Sequence, residues 1–245
     1  MKQFIRGIIH KLGFDIVPYS DAKAYPPDFD DAERATAEFV KRYTQTSPER
    51  IQSVIQSVRY IQRQRIEGAI VECGVWRGGS MMSIARTLLE NGGANRDLFL
   101  FDTFEGMPPP TAEDVDYQGR MAQKYMDRDP QLNAISLAEV QANLGKTNYP
   151  KERVHYVRGK VEDTLPAKAP QNIALLRLDT DWYESTKHEL IHLFPRLAPH
   201  GVLIIDDYGH FKGCRKAVDE YFADYKLPIM LQRIDYTGRI AIKPA

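Results

Sequence analysis

Up to about residue 66 the apolar positions recur at helical spacing. Phe4, Ile5, Ile8, Ile9 and Leu12 share one helical face, with Lys2, Arg6, His10 and Lys11 around them. Pro18, Pro26 and Pro27, with the turn formers Asp28, Asp30 and Asp31, make residues 13–32 irregular. A helix is predicted over 31–42, with Ala35, Phe39 and Val40 on its apolar side. A longer one runs from about Pro48 to Arg65, with Ile51, Val54, Ile55, Val58 and Ile61 inward. Ser47-Pro48-Glu49 marks its start, a capping hydroxyl followed by proline at the first helical position.

From residue 68 the period changes. Short continuous apolar runs predict buried strands at 68–72, 98–101, 154–157, 173–178 and 202–205. Helical stretches lie between and after them, at 80–90, 136–145, 183–197 and 213–225. Asn91-Gly92-Gly93, Tyr149-Pro150 and Pro199-His200-Gly201 act as breaks or turns. The chain closes with 229–234 and 239–243, joined through Asp235-Tyr236-Thr237-Gly238, which reads as an antiparallel hairpin. This alternation predicts a doubly wound, Rossmann-like α/β sheet with a C-terminal hairpin. Residues 1–66 form a helical extension, part of a substrate or oligomer surface, and 67–245 the sheet domain. Phe104 to Asp129 is the longest irregular stretch and is expected to be a lid or substrate wall, partly mobile when empty.

Totals narrow the picture only a little. At 245 residues the chain suits one domain with a modest appendage. Lys plus Arg equals Asp plus Glu, 33 each, which argues against an extended nucleic-acid surface. No apolar stretch has the length of a transmembrane helix and no signal peptide is evident, so the cytoplasm is the expected compartment. The basic amphipathic N-terminus could touch a membrane surface, although packing on the domain or on a partner subunit is favoured. Cys73 and Cys214 are read as reduced small residues, since no disulfide framework or zinc spacing is present.

The candidate chemistry centres on the turn after the first strand. Glu72 ends that strand, Gly74, Gly78 and Gly79 give the turn, and Ser80 is a plausible cap for the next helix. The order Gly-x-x-x-Gly-Gly is neither the dinucleotide fingerprint nor a P-loop. Glu72 can accept hydrogen bonds from an ammonium or hydroxyl while the turn's N–H groups receive a carboxylate. That layout suits an amino-acid-bearing nucleoside such as S-adenosylmethionine better than NAD. Asp102, at the end of the second strand, is placed for two ribose hydroxyls. Glu162 and Asp163 follow the third strand, near where an adenine would lie.

Asp179 and Asp181 follow the fourth strand and Asp206 and Asp207 the fifth, so all should converge on the rim where such sheets bind ligands. Carboxylates gathered without basic partners repel one another, and their pKa values rise unless a cation neutralises them. Oxygen-only donors favour a hard divalent ion, Mg²⁺ first, with Mn²⁺ or Ca²⁺ possible. Such an ion lowers the pKa of an alcohol, and a neighbouring carboxylate can take the proton while the oxygen is held in line with an electrophilic methyl. His210 is close enough to serve as a base or hydrogen bonder, or to be a loop residue. His155 is read as packing, and His188 and His192 as surface or packing residues. Trp76, Trp182, Tyr183 and Tyr208 lie beside the ligand-facing loops as pocket walls or core flanks.

With these residues in view, the chain resembles the macrocin O-methyltransferase (TylF-like) family from about Ala69 to Tyr225. The signals are Val71-Glu72-Cys73-Gly74-Val75-Trp76-Arg77-Gly78-Gly79-Ser80, Phe101-Asp102-Thr103-Phe104-Glu105-Gly106-Met107-Pro108, Leu178-Asp179-Thr180-Asp181-Trp182-Tyr183-Glu184-Ser185-Thr186 and Asp206-Asp207-Tyr208. Family members usually carry glycine between the two aspartates of the third motif, where this chain has Thr180. The resemblance implies a class I methyltransferase fold, S-adenosylmethionine as methyl donor, Mg²⁺, and a sugar hydroxyl as acceptor. It implies a homo-oligomer as well. It puts Glu72 and Gly74 at the methionine end of the cofactor and Asp102 on the ribose. Cys73, Trp76, Gly79, Ser80, Thr103, Glu162, Asp163 and Asp179 complete the candidate cofactor set. It further implies Asp179, Asp206 and Asp207 as metal ligands, with Asp179 also as general base beside the candidate His210. The alternatives are a catechol-type or other non-sugar hydroxyl methyltransferase, an NAD-dependent oxidoreductase, against which the glycine order argues, and a non-catalytic cofactor-binding protein.

Overall fold

The computed structural model describes residues 25–90, 92–128 and 134–245. The predicted amphipathic stretch before residue 13 lies outside them. Two helices come first, α1 (Asp31–Val40) and α2 (Pro48–Arg63). Then follow β1 (Ala69–Cys73), α3 (Gly79–Glu90) and β2 (Leu98–Asp102). After a long insertion holding the short helix α4 (Gln123–Arg128) come α5 (Leu137–Gly145), β3 (Val154–Arg158) and the single turn α6 (Val161–Thr164). The chain ends with β4 (Ile173–Leu178), α7 (Tyr183–Leu193), β5 (Leu197–Ile205), α8 (Lys212–Asp224), β6 (Gln232–Arg233) and β7 (Arg239–Ile242).

The strands form one sheet in the order β3-β2-β1-β4-β5-β7-β6. β1 to β5 run parallel, β7 lies antiparallel to β5, and β6 antiparallel to β7. Every residue of β1 and β4 is buried. That is why these strands read as unbroken apolar runs rather than alternating ones: helices cover both faces. Ile70, Leu100, Leu175 and Ile204 point into the layer built by α2 and α3, and Val71, Phe101, Leu176 and Leu203 into the layer built by α7 and α8.

Helices α1 and α2 are part of the first layer. Ile51, Val54, Ile55, Val58 and Ile61 of α2 are all at most 2 % exposed. Each such burial contributes about 1.5–3 kcal/mol before the entropy cost of ordering the chain. The cap works as the sequence suggests, with Ser47 Oγ accepting from Arg50 N–H at 3.2 Å. No helix among the described residues is long and apolar enough to cross a membrane.

Four local expectations are corrected. Ala35 is exposed, and the inward side of α1 carries Glu33, Thr36, Ala37 and Val40 instead. Asp30 and Glu33 form a reciprocal capping box that sets the phase of the helix, and Glu33 is tolerated inside because Gln52, Gln56 and Arg59 of α2 satisfy its carboxylate. Ser80 does not cap α3 but is its second residue; the helix starts at Gly79, whose N–H donates to the carbonyl of Tyr43 at 2.8 Å. α7 stops at Leu193 because Pro195 cannot continue it, and a 3₁₀ turn covers Phe194–Arg196. Pro199-His200-Gly201 lies within β5, where pairing with β4 jumps from Ile173–Leu197 to Leu175–Val202 and His200 adopts φ 63°.

Candidate active site

Strand order reverses at β1, which has β2 on one side and β4 on the other. The crevice above their carboxyl ends is where an open α/β sheet binds ligands. A cavity of about 620 Å³ occupies it. Gly74 makes its floor possible. Its φ is 79°, and a Cβ there would stand 1.9 Å from the carbonyl oxygen of Asp179. Only glycine lets the two strand tips close, and Asp179 N–H then bonds to Cys73 O at 2.9 Å. Gly79 is equally restricted, since its Cβ would meet Tyr43 O at 2.4 Å. The α1–α2 loop, residues 43–46, is thereby seated against the start of α3 and lines the cavity.

Asp102 braces this turn from β2. Its carboxylate accepts from Val75 N–H at 2.6 Å, Trp76 N–H at 3.3 Å and Phe104 N–H at 2.7 Å. Trp76 and Phe104 both hold positive φ, 46° and 54°, so the braced turns carry strain beside the cavity. Gly74, Trp76, Gly79, Ser80, Asp102, Thr103, Glu162 and Asp179 line the cavity, as do Asp206, Asp207 and His210. Glu72, Cys73 and Asp163 do not. Cys73 is buried in the α7–α8 layer, and burial raises its thiol pKa well above normal. Asp163 is exposed on α6.

Glu72 instead meets Arg177, its register neighbour on β4. Arg177 is 1 % exposed. One of its nitrogens donates to Glu72 Oε1 at 2.7 Å and to Asp179 Oδ2 at 2.6 Å, and the other to Asp206 Oδ1. Arg50 of α2 donates to the second oxygen of Asp206 and lies 3.0 Å from Asp235. The acids at the strand tips therefore have basic partners, contrary to the sequence expectation. The signal was present: Arg177 interrupts the run Leu175-Leu176-Leu178 in a strand buried on both faces, where a charge must find counter-charges.

Two guanidinium groups do not balance the six carboxylates of Glu72, Asp179, Asp181, Asp206, Asp207 and Asp235. Oxygens of Asp179, Asp181 and Asp207 lie within 4.8 Å of one another, and the buried Oδ2 of Asp207 has no hydrogen-bond partner. Asp181 sits at φ 66° in a three-residue turn closed by Trp182 N–H to Thr180 O at 2.7 Å. Burial pushes Glu72 up to about 8, Asp179 to about 6 and Asp181 to about 7; Arg177 opposes the first two shifts and neighbouring acids add to all three. Burial, followed by the charge and hydrogen bond of Asp181, puts Asp207 well above the usual carboxylate range. An all-oxygen donor set with an orphaned buried acceptor fits a hard divalent cation.

These shifts set a pH dependence. The folded protein keeps protons that the unfolded chain releases near pH 4, so their contribution is fully present below about pH 4 and is lost as pH rises through about 6 to 8. Each group still protonated contributes a slope of about 1.4 kcal/mol per pH unit. With chelator present, the thermal midpoint is expected to fall between about pH 5.5 and 8.5, and added Mg²⁺ to flatten the fall. A midpoint that rises over that range would show that the acids are ionised in the fold.

The long insertion is a packed wall. Buried Asp114 accepts from Thr111 and from Tyr183 N–H at the start of α7, 2.8 Å away. Buried Asp116 accepts from Gln118, Arg120 and Tyr125. Burial works against its ionisation, but these bonds outweigh it and hold the carboxyl well below its usual range. Met107, Pro108, Tyr125 and Met126 face the cavity. Trp182 is buried and donates to Pro108 O at 2.9 Å, which anchors the wall. Tyr183 and Tyr208 hydrogen-bond Glu220 and Asp219 of α8. His155 stacks on Phe99 at the β3 edge, and His188 and His192 face each other along α7.

Sheet order, hairpin and cavity place the protein among the class I O-methyltransferases. The solved O-methyltransferase NovP aligns with a TM-score of 0.75 at 31 % identity, over 83 % of each chain. More narrowly, the chain belongs to the macrocin O-methyltransferase family, whose profile (macrocin-O-methyltransferase, TylF) matches residues 13–241. A Streptomyces olivaceus relative, 8-demethyl-8-(2,3-dimethoxy-alpha-L-rhamnosyl)-tetracenomycin-C 4'-O-methyltransferase, is 34 % identical over 80 % of this chain and 74 % of its own. Mycinamicin III 3''-O-methyltransferase of Micromonospora griseorubida is 31 % identical over 80 % and 76 %.

Proposed function

We propose that this O-methyltransferase moves the methyl group of S-adenosylmethionine to a sugar hydroxyl of a glycosylated natural product, with a divalent ion, Mg²⁺ first. The observation that carries the reading is one cavity lined both by the braced glycine turn and by the clustered carboxylates of Asp179, Asp181 and Asp207. The names of the relatives, acting on a rhamnosylated tetracenomycin and on mycinamicin III, support a sugar-bearing acceptor.

In this reading the turn from Gly74 to Gly79 receives the methionine end of the donor, and Asp102 uses its remaining lone pairs on the ribose. Glu162 flanks the base. Glu72 acts from behind, by holding Arg177. Asp179 and Asp207, with a third strand-tip acid, would hold a divalent ion, which would lower the pKa of the acceptor hydroxyl. Asp179, with a pKa near 6, is ionised at neutral pH and takes the hydroxyl proton on its carboxylate. The methyl then passes from sulfur to oxygen, leaving S-adenosylhomocysteine. Residues 43–50 and the wall at 104–128 hold the acceptor in line and keep water out. The helical preface would also carry the oligomer surface, in a cytoplasmic enzyme.

Asp179 and Asp207 are common to two metal triads. The family resemblance supplies Asp206 as the third ligand, whereas the geometry gathers Asp181 while Asp206 faces Arg177 and Arg50. Calorimetry separates them. The wild type should bind S-adenosylmethionine and S-adenosylhomocysteine and not NAD. Mn²⁺ affinity should fall at least tenfold in Asp206→Asn if Arg50 yields its place, and in Asp181→Asn if it does not. A folded protein that binds neither sulfur nucleoside would end the methyl-transfer reading, and unchanged Mn²⁺ binding in both variants would end the metal site.

A further inference from the structure

Three segments far apart in sequence bring aromatic rings together at the cavity: Tyr125, His210 and Tyr236 line it, and Tyr117 packs on His210. Tyr117 and Tyr125 come from the long insertion, His210 from the loop between β5 and α8, and Tyr236 from the β6–β7 turn. His210 is at the centre, with ring centroids 5.6 Å from Tyr117 and 5.9 Å from both Tyr125 and Tyr236, all edge to face. Yet Tyr117 is 53 % and Tyr236 60 % exposed. Two large rings left in water around one histidine that lines the cavity ask for an occupant.

The cluster is built rather than incidental. Lys212 N–H bonds to Val115 O at 2.8 Å, and Asp116 bridges to Phe211, which fastens the insertion to the His210 loop. Gly209 N–H bonds to Thr237 O at 2.8 Å, and a Cβ on Gly209 would stand 2.1 Å from Tyr236 O, which fastens that loop to the hairpin turn. Tyr125 is held by Asp116 and Arg120, and the Tyr236 hydroxyl lies 3.1 Å from His210 Nδ1. The three segments, and the Tyr125 and Tyr236 rings, are therefore held in place before any ligand arrives, which limits the ordering entropy lost on binding.

We infer that Tyr117, His210 and Tyr236 form the subsite that takes the pyranose ring of the acceptor. This rests on the sugar-acceptor reading above and gives it a location. A pyranose has an apolar face of C–H groups and a rim of hydroxyls. The exposed faces of Tyr117 and Tyr236 match the first. His210 serves the second: when the Tyr236 hydroxyl donates to Nδ1, the imidazole proton resides on Nε2 and is free to donate to a sugar hydroxyl. His210 follows Asp207 by three residues, so a ring held here presents its hydroxyls beside the strand-tip carboxylates. His210 is then a hydrogen-bond donor to the acceptor, and the proton goes to Asp179.

Saturation-transfer NMR tests the assignment, with methyl α-L-rhamnopyranoside and methyl β-D-glucopyranoside as probes and catechol as comparator, in the presence of S-adenosylhomocysteine and Mg²⁺. At least one pyranoside should receive saturation on its ring C–H protons, and more than catechol does. Tyr117→Ala and Tyr236→Ala should each weaken that binding at least fivefold, with S-adenosylhomocysteine affinity and melting temperature unchanged. Tyr117→Phe, which keeps the ring, should behave as wild type. Pyranoside binding that survives both alanine variants, a stronger response from catechol, or no pyranoside response while S-adenosylhomocysteine binds would each overturn the subsite. Absence of S-adenosylhomocysteine binding would instead strike the methyl-transfer reading on which it rests.

Discussion

Replacing Arg177 by methionine is expected to destabilise the protein by about 3–5 kcal/mol at pH 8, and by much less at pH 5. The side chain is 1 % exposed and bonds Glu72, Asp179 and Asp206 at once. Methionine fills much of the volume but leaves these acids buried without a counter-charge. At pH 8 Asp179 and Asp206 are ionised and Glu72 about half so, and most of the penalty is felt. At pH 5 they are protonated in the fold and the penalty shrinks. Urea unfolding at the two pH values measures the difference, and Glu72→Gln in the same background should restore part of the loss. An equal loss at both pH values would mean that packing, not charge, is what Arg177 provides.

The second large effect is on the reaction. Asp179→Asn should lower methyl transfer by on the order of 10²–10⁴-fold, because the amide cannot accept the hydroxyl proton. The residue's backbone N–H bond to Cys73 and its contact with Gly74 involve main-chain atoms, so the strand tip should keep its shape. Single-turnover transfer from labelled S-adenosylmethionine, with donor affinity measured alongside, separates a chemical defect from a binding defect. A variant that turns over at the wild-type rate would move the base elsewhere in the cavity.

The family resemblance concentrated on the strand tips because their residue types follow from local needs. Gly74 is required where β1 and β4 nearly touch. Asp102 sits where two turn amides need an acceptor. What the motifs left unstated is pairing across the chain. Asp206 and Asp207 are neighbours in sequence, but Asp206 turns to Arg177 and Arg50 while Asp207 joins Asp179 and Asp181. Arg50 lies 156 positions from Asp206, in a helix whose sequence periodicity marks only its apolar face.

Most of the elements are legible in local sequence pattern. The central strands β1 and β4 read as short apolar runs because both their faces are buried, and α2 carries a continuous apolar stripe because one side of it covers the sheet. The closing hairpin, the cap at Ser47 and the glycine turn are also local, set by backbone geometry within a few residues. Tertiary structure alone decided three things. It buried Glu33 rather than Ala35, because α2 offered hydrogen-bond partners for the carboxylate. It kept Pro199-His200-Gly201 inside β5, because a register jump against β4 absorbs the irregularity. It also decided which acids face a guanidinium and which are left to a cation or an acceptor. Charge pairing depends on distances between segments that meet only when the sheet has closed, and no local pattern encodes those distances.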